Sequence, residues 1–526
     1  MEDGLRGTLT MTDDVIAQDW DYVIVGAGSA GCVVARRLSD DPAIRVLLLE
    51  AGAPADDPAI FQPQAWPMLQ GGRHDWNYTT VPQVGLNGRR VAQPRGKGLG
   101  GSSLINALGF QRGSHVAYDR WAAETGDAGW SYDGLLPWFR KLETASCGAN
   151  DHRGENGPLD VLALGDTGDE SPYAYAVAAA GVAAGYPLNP DWNAADAEGT
   201  IWTQLTMKNG RRVTAASAYL DPIRDRANLR IVCSANVRRV AVAEGRCKGV
   251  TFATGGALHH VTPLRETILC AGAIDTPRLL LLSGIGDPAE LAPLGVTPVH
   301  DLPGVGRNLI DHPLVPGLLF KAARPLPPSA YNHCETMVIV RSSIAGQAAD
   351  LQLMALAVPF LSLELGAPPP DSFSIVPALM DPHSRGSVRL ASADPDVPAL
   401  IDPAYLTEPR DVEALVDGFE IARAVARQPA LADWIESELV PGAVTNRVAL
   451  ASHIRRTASP FFHPVSTCRM SHADDPLAVV DTICRVRGVA QLRIVDASIF
   501  PSIPQAMTNA AVLAVAERAA DLILHA

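Results

Sequence analysis

Residues 21–52 read DYVIVGAGSAGCVVARRLSDDPAIRVLLLEAG, and this stretch decides the fold. Val23, Ile24 and Val25 form a short β-branched apolar run, the pattern of a strand buried on both faces of a parallel sheet. Gly26, Gly28 and Gly31 follow as G-x-G-x-x-G. The first glycine permits a tight turn, the second lets the backbone approach a pyrophosphate, and the third lets the next helix pack on the strand. A helix over residues 29–38 then points its N-terminal N–H groups at the phosphates. Val46–Leu49 reads as a second strand with Glu50 at its end. A carboxylate placed about 20 residues after the glycines accepts hydrogen bonds from ribose hydroxyls and repels a 2′-phosphate. The stretch therefore predicts a dinucleotide site that disfavours NADP. It does not choose between FAD and NAD.

The surrounding chain is consistent with a large globular protein. Its 526 residues suffice for a sizeable core and two domains. Forty-seven per cent of residues are hydrophobic, which excludes a mainly disordered chain. Lysine and arginine number 43 against 57 acidic residues, a net charge of −14. An acidic chain without a basic block is not a nucleic-acid or anionic-membrane binder. The eight cysteines show no C-x-x-C spacing, so buried free thiols in a reducing compartment are expected, with no metal site. The N-terminus is acidic and lacks the basic and apolar regions of a secretory signal. Met11 is a candidate start. With no run of 18 apolar residues, a soluble cytoplasmic protein without a membrane span is expected.

Further along, Arg95–Gly113 reads RGKGLGGSSLINALGFQRG. Gly96, Gly98, Gly100 and Gly101 give a backbone able to press on a flat or phosphorylated ligand. Ser102 and Ser103 add hydroxyls, and Asn106 can bond ring heteroatoms or ribityl oxygens. Leu104, Ile105, Leu108 and Phe110 are too apolar for a surface loop. The run GKGLGGSSLINALGF resembles the first signature of the glucose–methanol–choline (GMC) flavin oxidoreductases. Gly272–Gly286, GAIDTPRLLLLSGIG, resembles the second.

This resemblance covers nearly the whole chain after residue 20 and implies that the dinucleotide is FAD. It assigns the ADP half to Gly26, Gly28, Gly31 and Glu50, with Ser29 and Ala51 beside them. It lays Arg95, Gly98, Gly100, Gly101, Ser102, Asn106 and Ala107 along the flavin and pyrophosphate. Val237 matches a position where main-chain groups bond the adenine. Asp496 is implied against the ribityl–pyrophosphate region with Ala497, and Thr508 opens a helix facing the flavin. Where some members attach FAD through a histidine, this chain has Ile105, so non-covalent FAD is expected.

The implied fold is α/β: a Rossmann-like FAD-binding domain of GMC type and a discontinuous α+β substrate domain on an antiparallel sheet. The FAD domain is expected from 20–155, 225–313 and 456–526, and the substrate domain from 156–224 and 314–455. Strands at Leu351–Val358 and Gly386–Leu390 and a helix at Pro409–Arg427 support the latter.

The chemistry is expected at Ser459–Met470, SPFFHPVSTCRM. A neutral imidazole suits removal of a hydroxyl proton near pH 7. The resemblance makes His463 that base, with hydride passing to flavin N5. It matches Asn509 to the second active-site position, where an amide holds the substrate oxygen. Two departures stand out: Ser466 replaces the usual glycine, and Met507–Thr508–Asn509 replaces N-T-N. His312 and His333 are candidates to line the pocket, and Glu335 or Glu364 to hold a cationic substrate group, with a solvated surface position the stronger expectation for each. The implied activity is oxidation of a CH–OH group, of a primary alcohol or a polyol, to the aldehyde or ketone, with the flavin reoxidised by oxygen or another acceptor. A choline-like, sugar-like or amino-sugar alcohol suits an acidic member. Hydroxynitrile lyase and light-driven fatty-acid decarboxylase are the alternatives on the same fold.

Overall fold

A computed structural model describes residues 18–194 and 197–525; Met11 lies outside them. The glycine-loop stretch forms as read. Trp20–Val25 is a fully buried strand, Ser29–Leu38 a helix and Val46–Leu49 a second buried strand. These strands belong to a five-stranded sheet. Its order is 229–232, 46–49, 20–25, 263–269, 492–494, with every pairing parallel. Chain direction through the sheet reverses beside Trp20–Val25, the switch point where open α/β sheets bind ligands at strand C-terminal ends. After the strand Pro263–Leu269, Cys270 and Ala271 turn into the helix Gly272–Leu282.

A nine-stranded sheet forms the second layer system. From one edge its main path runs 435–440, 319–322, 372–379, 351–356, 336–340, 199–202 and 188–189. The strands are antiparallel except for the last pair. Two-residue alternation gives it two different faces. Val338, Val340, Leu351, Leu353 and Ala355 pack under the helices Pro172–Ala183 and Pro409–Ala426. Met337, Ile339, Met354 and Leu356 point the other way into a separate apolar cluster.

The helix Thr508–Leu524 returns the chain end to its beginning by packing on Ser29–Leu38. Arg37 and Glu517 lock the two with paired bonds of 2.7 Å, and Tyr219 donates to the same carboxylate at 3.1 Å. Trp121 and Trp130 are fully buried, as core residues should be. Six of the eight thiols are buried as expected; Cys233 is half-buried and Cys147 is exposed.

Candidate active site

One cavity, with about 2220 Å³ of free space including its open mouth, lies between the parallel strand ends and the second face of the large sheet. Gly26, Gly28, Ser29, Glu50, Ala51, Arg95, Gly101, Ser102, Asn106, Ala107 and Val237 line it. So do His463, Asp496, Ala497, Thr508 and Asn509. Gly31, Gly98 and Gly100 do not; they support the lining. A Cβ on Gly31 would lie 1.9 Å from the Gly26 carbonyl oxygen, so the residue serves close helix–strand packing. Gly98 donates its N–H to Glu50 at 3.1 Å, and Gly100 donates to the Ala27 carbonyl at 2.8 Å.

Glu50 is buried and accepts backbone N–H groups from Ala27 (2.8 Å), Gly52 (2.7 Å) and Gly98. Burial still raises its pKa. Asp496 is similarly committed. Its oxygens accept from Gly272 N–H, Thr276 Oγ1 and Ser498 N–H at 2.6–2.9 Å, fixing the start of the Gly272–Leu282 helix.

The segment around His463 is clamped from both sides. Arg95 donates to the Phe462 carbonyl at 2.6 Å, and His463 N–H donates to Asp311 at 2.6 Å. Gln93 and Tyr405 hydrogen-bond the other Asp311 oxygen. This buried carboxyl is pushed up to about 6 by loss of solvent. Ser466 sits at φ +72°, the left-handed region where glycine carries no penalty. Its buried hydroxyl has no hydrogen-bond partner.

The ring of His463 is set by a second histidine. His312 Nδ1 lies 3.0 Å from His463 Nδ1, and His312 Nε2 lies 3.0 Å from the Met380 carbonyl. Burial pushes the His312 pKa down to about 3, so it carries one proton at neutral pH. The Met380 carbonyl only accepts, so that proton is on Nε2. His312 Nδ1 therefore accepts, His463 Nδ1–H donates, and His463 Nε2 keeps a bare lone pair. Withdrawal from water, then His312 and the Arg95 guanidinium, hold His463 well below its ordinary pKa. Half-buried in the cavity wall, it is a neutral base at pH 7.

The turn before the last helix divides its residues. Asn509 Oδ1 accepts from Ser29 Oγ at 2.7 Å, tying it to the glycine loop. Met507 joins the apolar cluster that contains Phe461, Met337 and Met354.

A family model for GMC oxidoreductases matches residues 20–314, and its C-terminal counterpart matches residues 382–516. The chain belongs to the GMC oxidoreductase family. It is 38% identical over 502 residues to pyridoxine 4-oxidase of Microbacterium luteolum, covering 95% of this chain and 98% of that protein. It is also 38% identical to the mitochondrial choline dehydrogenase of Homo sapiens, covering 96% and 90%. Among solved structures, pyridoxine 4-oxidase from Mesorbium loti superposes with a TM-score of 0.93 at 38% identity. That match covers 97% of this chain and 100% of the other.

The cofactor of a GMC oxidoreductase is FAD, and the cavity fits it. Three helices begin on its wall at Ser29, Gly272 and Thr508; none has a capping side chain on its N-cap residue, although Asp496 takes the Gly272 N–H. Elsewhere Ser114, Ser131, Ser171 and Asn446 cap their helices, whereas Pro409–Ala426 also lacks a side-chain cap. Uncapped N-termini converging on one space suit the pyrophosphate and the negative charge of a reduced flavin. A Cβ added at Gly272 would meet no protein atom within 4 Å, and at Gly28 only the Cys270 carbonyl oxygen at 4.0 Å. That free space is where the ligand would run.

The sequence reading missed His312 and Asp311. It favoured the solvated surface for His312 over a place in the pocket, but the residue is fully buried behind His463. The only signal was the pair Asp311–His312 at the end of LPGVGRNLIDH. Glu335 is likewise buried, accepting the Ser171 N–H at 2.7 Å. His333 is half-buried against the Gln64 carbonyl, and Glu364 is exposed as expected. Arg212 was also missed. Loss of solvent pushes its pKa down to about 9, and it bonds the carbonyls of Ile60 and Ser103 and the Asn106 side chain.

Proposed function

We propose that the protein oxidises a primary alcohol to the aldehyde, with His463 as the general base. The observation that carries this reading is the oriented imidazole: Nδ1–H held by His312, Nε2 unprotonated, beside a cavity that accepts FAD. FAD, when bound, supplies the two-electron acceptor. His463 Nε2 takes the hydroxyl proton, and its own hydrogen bond to His312 keeps the lone pair aimed as positive charge develops on the ring. Arg95 and Asp311 hold the backbone on either side of that ring. In this reading Asn509 works with Ser29 on the cofactor side, while Met507 faces the substrate. Residues 20–155, 225–313 and 456–526 carry the cofactor, and 156–224 with 314–455 close over it.

FAD is held without a covalent bond, because Ile105 offers no nucleophile at the attachment position. Acid precipitation should release all of the flavin into the supernatant. The redox reading is tested by anaerobic mixing with a panel of alcohols while oxidised-flavin absorbance is followed. Bleaching by wild type, lost in FAD-loaded His463→Ala, is the expected result. No bleaching with any alcohol would send the assignment to the lyase or light-driven chemistry of the fold. Readmitting oxygen then separates oxidase from dehydrogenase by the rate of recovery.

A further inference from the structure

Resting on that alcohol-oxidising reading, we infer that the substrate is an uncharged alcohol with an apolar body, aromatic alcohols included, and that cationic alcohols are rejected. The wall beyond His463 is the second face of the large sheet. Leu314, Met337, Met354 and Leu356 line the cavity there, with Phe461 and Met507 closing on them. Met337 and Met354 are direct cross-strand partners. The Phe461 ring lies 4.4 Å from the His463 ring, so this apolar surface begins at the base itself. Flexible, polarizable thioethers beside aromatic rings suit a flat apolar group.

No carboxylate is available at this end among the described lining residues. Glu50 and Asp496 are buried on the dinucleotide side with their oxygens on backbone and hydroxyl donors. Asp275 accepts from Tyr78 at 2.6 Å and pairs with Arg278. The charges nearest the base are Arg95, bonded to the Phe462 carbonyl, and Asp311, a carboxylate outside the lining whose oxygens are held by His463 N–H, Gln93 and Tyr405. A quaternary ammonium would lose its water against this apolar wall with no lining carboxylate free to pair with it. Phe360, Phe461 and Trp66 offer it ring faces, which attract a cation without supplying the counter-ion that its lost hydration calls for. A polyol fares no better, since its extra hydroxyls need partners. Asn332, an amide at this wall, has Oδ1 on the Cys334 N–H and Nδ2 on the Ala107 carbonyl. This departs from the choline-like and sugar-like substrates that overall acidity suggested: net charge is spread over the surface and does not describe the pocket.

Choline and 3,3-dimethylbutan-1-ol have the same shape and differ by one charge. With the holoenzyme, the neutral isostere should exceed choline in kcat/KM by at least about 100-fold, and benzyl alcohol should also reduce the flavin. Choline used as well as its isostere, or better, would overturn the inference. If no alcohol reduces the flavin, the alcohol reading falls, and the ligand class is read from binding instead. Calorimetry on FAD-loaded His463→Ala should then detect the neutral isostere and not choline; equal or tighter choline binding overturns it. Met507→Glu, checked for normal flavin content, should shift the preference at least about tenfold toward choline. An unchanged preference would overturn the placement of this wall.

Discussion

Replacing His312 tests how the base is aimed. In His312→Phe the ring volume stays, but His463 Nδ1–H loses the acceptor now 3.0 Å away. The Met380 carbonyl loses its donor as well. A buried donor left without a partner costs about 1–3 kcal/mol. His463 avoids that cost by turning or by moving its proton to Nε2, and either removes the productive lone pair. At 1.36 kcal/mol per tenfold, kcat/KM should fall between about fivefold and about 150-fold. The separating control is His312→Asn, whose Oδ1 takes the place of Nδ1 and still accepts from His463. The assay is anaerobic stopped-flow reduction of bound flavin, with FAD content measured in each variant. Activity in the Phe variant within twofold of wild type would refute the tautomer argument. So would an Asn variant that falls as far as Phe at equal FAD content.

Because His463 is held well below 6.5 by desolvation, His312 and Arg95, kcat/KM should stay flat from pH 6.5 to 8 and decline only in more acidic buffer. A limb centred at 6.5 or above would contradict a desolvated base. Ser466→Gly should stabilise the protein by about 1 kcal/mol, read from the urea midpoint. It relieves the left-handed backbone and removes an orphaned hydroxyl, against a smaller gain in unfolded-state entropy. Asn509→Ala and Ser29→Ala should each weaken FAD retention more than they change KM for the alcohol. Their double variant should be less than additive, since each removes the same 2.7 Å bond. A pure KM effect at full FAD content would put Asn509 back on the substrate side.

Local patterns carried much of this structure. The strand–glycine–helix–strand unit, the helix 409–426 and the final helix from Thr508 all follow from apolar periodicity and turn chemistry within a few dozen residues. The ADP end of the lining was legible from the glycines, their flanking strands and Glu50, whereas Arg95, Val237, Asp496 and Thr508 came from the resemblance to the GMC family. His312 was not legible, because its meaning comes from His463, 151 residues away, and from a Met380 carbonyl. A lone histidine after an aspartate carries no local sign of burial. The anomaly at Ser466 was visible as a residue type, but its cause, a φ of +72°, is a backbone property. The two faces of the large sheet were hidden for another reason. Strands apolar on both sides lose the polar alternation that marks a face, and which side meets helices is decided by packing.

The pairing of the first helix with the last has a consequence for biosynthesis. Ser29 and Asn509 are 480 residues apart, as are Arg37 and Glu517. The edge strand Leu492–Ile494 joins the parallel sheet equally late. A nascent chain emerging from the ribosome therefore exposes the apolar flank of Ser29–Leu38 until translation is nearly complete. Closing such a long loop is slow, so a truncated product that stops before residue 492 should be captured by chaperones or degraded, and flavin loading belongs after chain release.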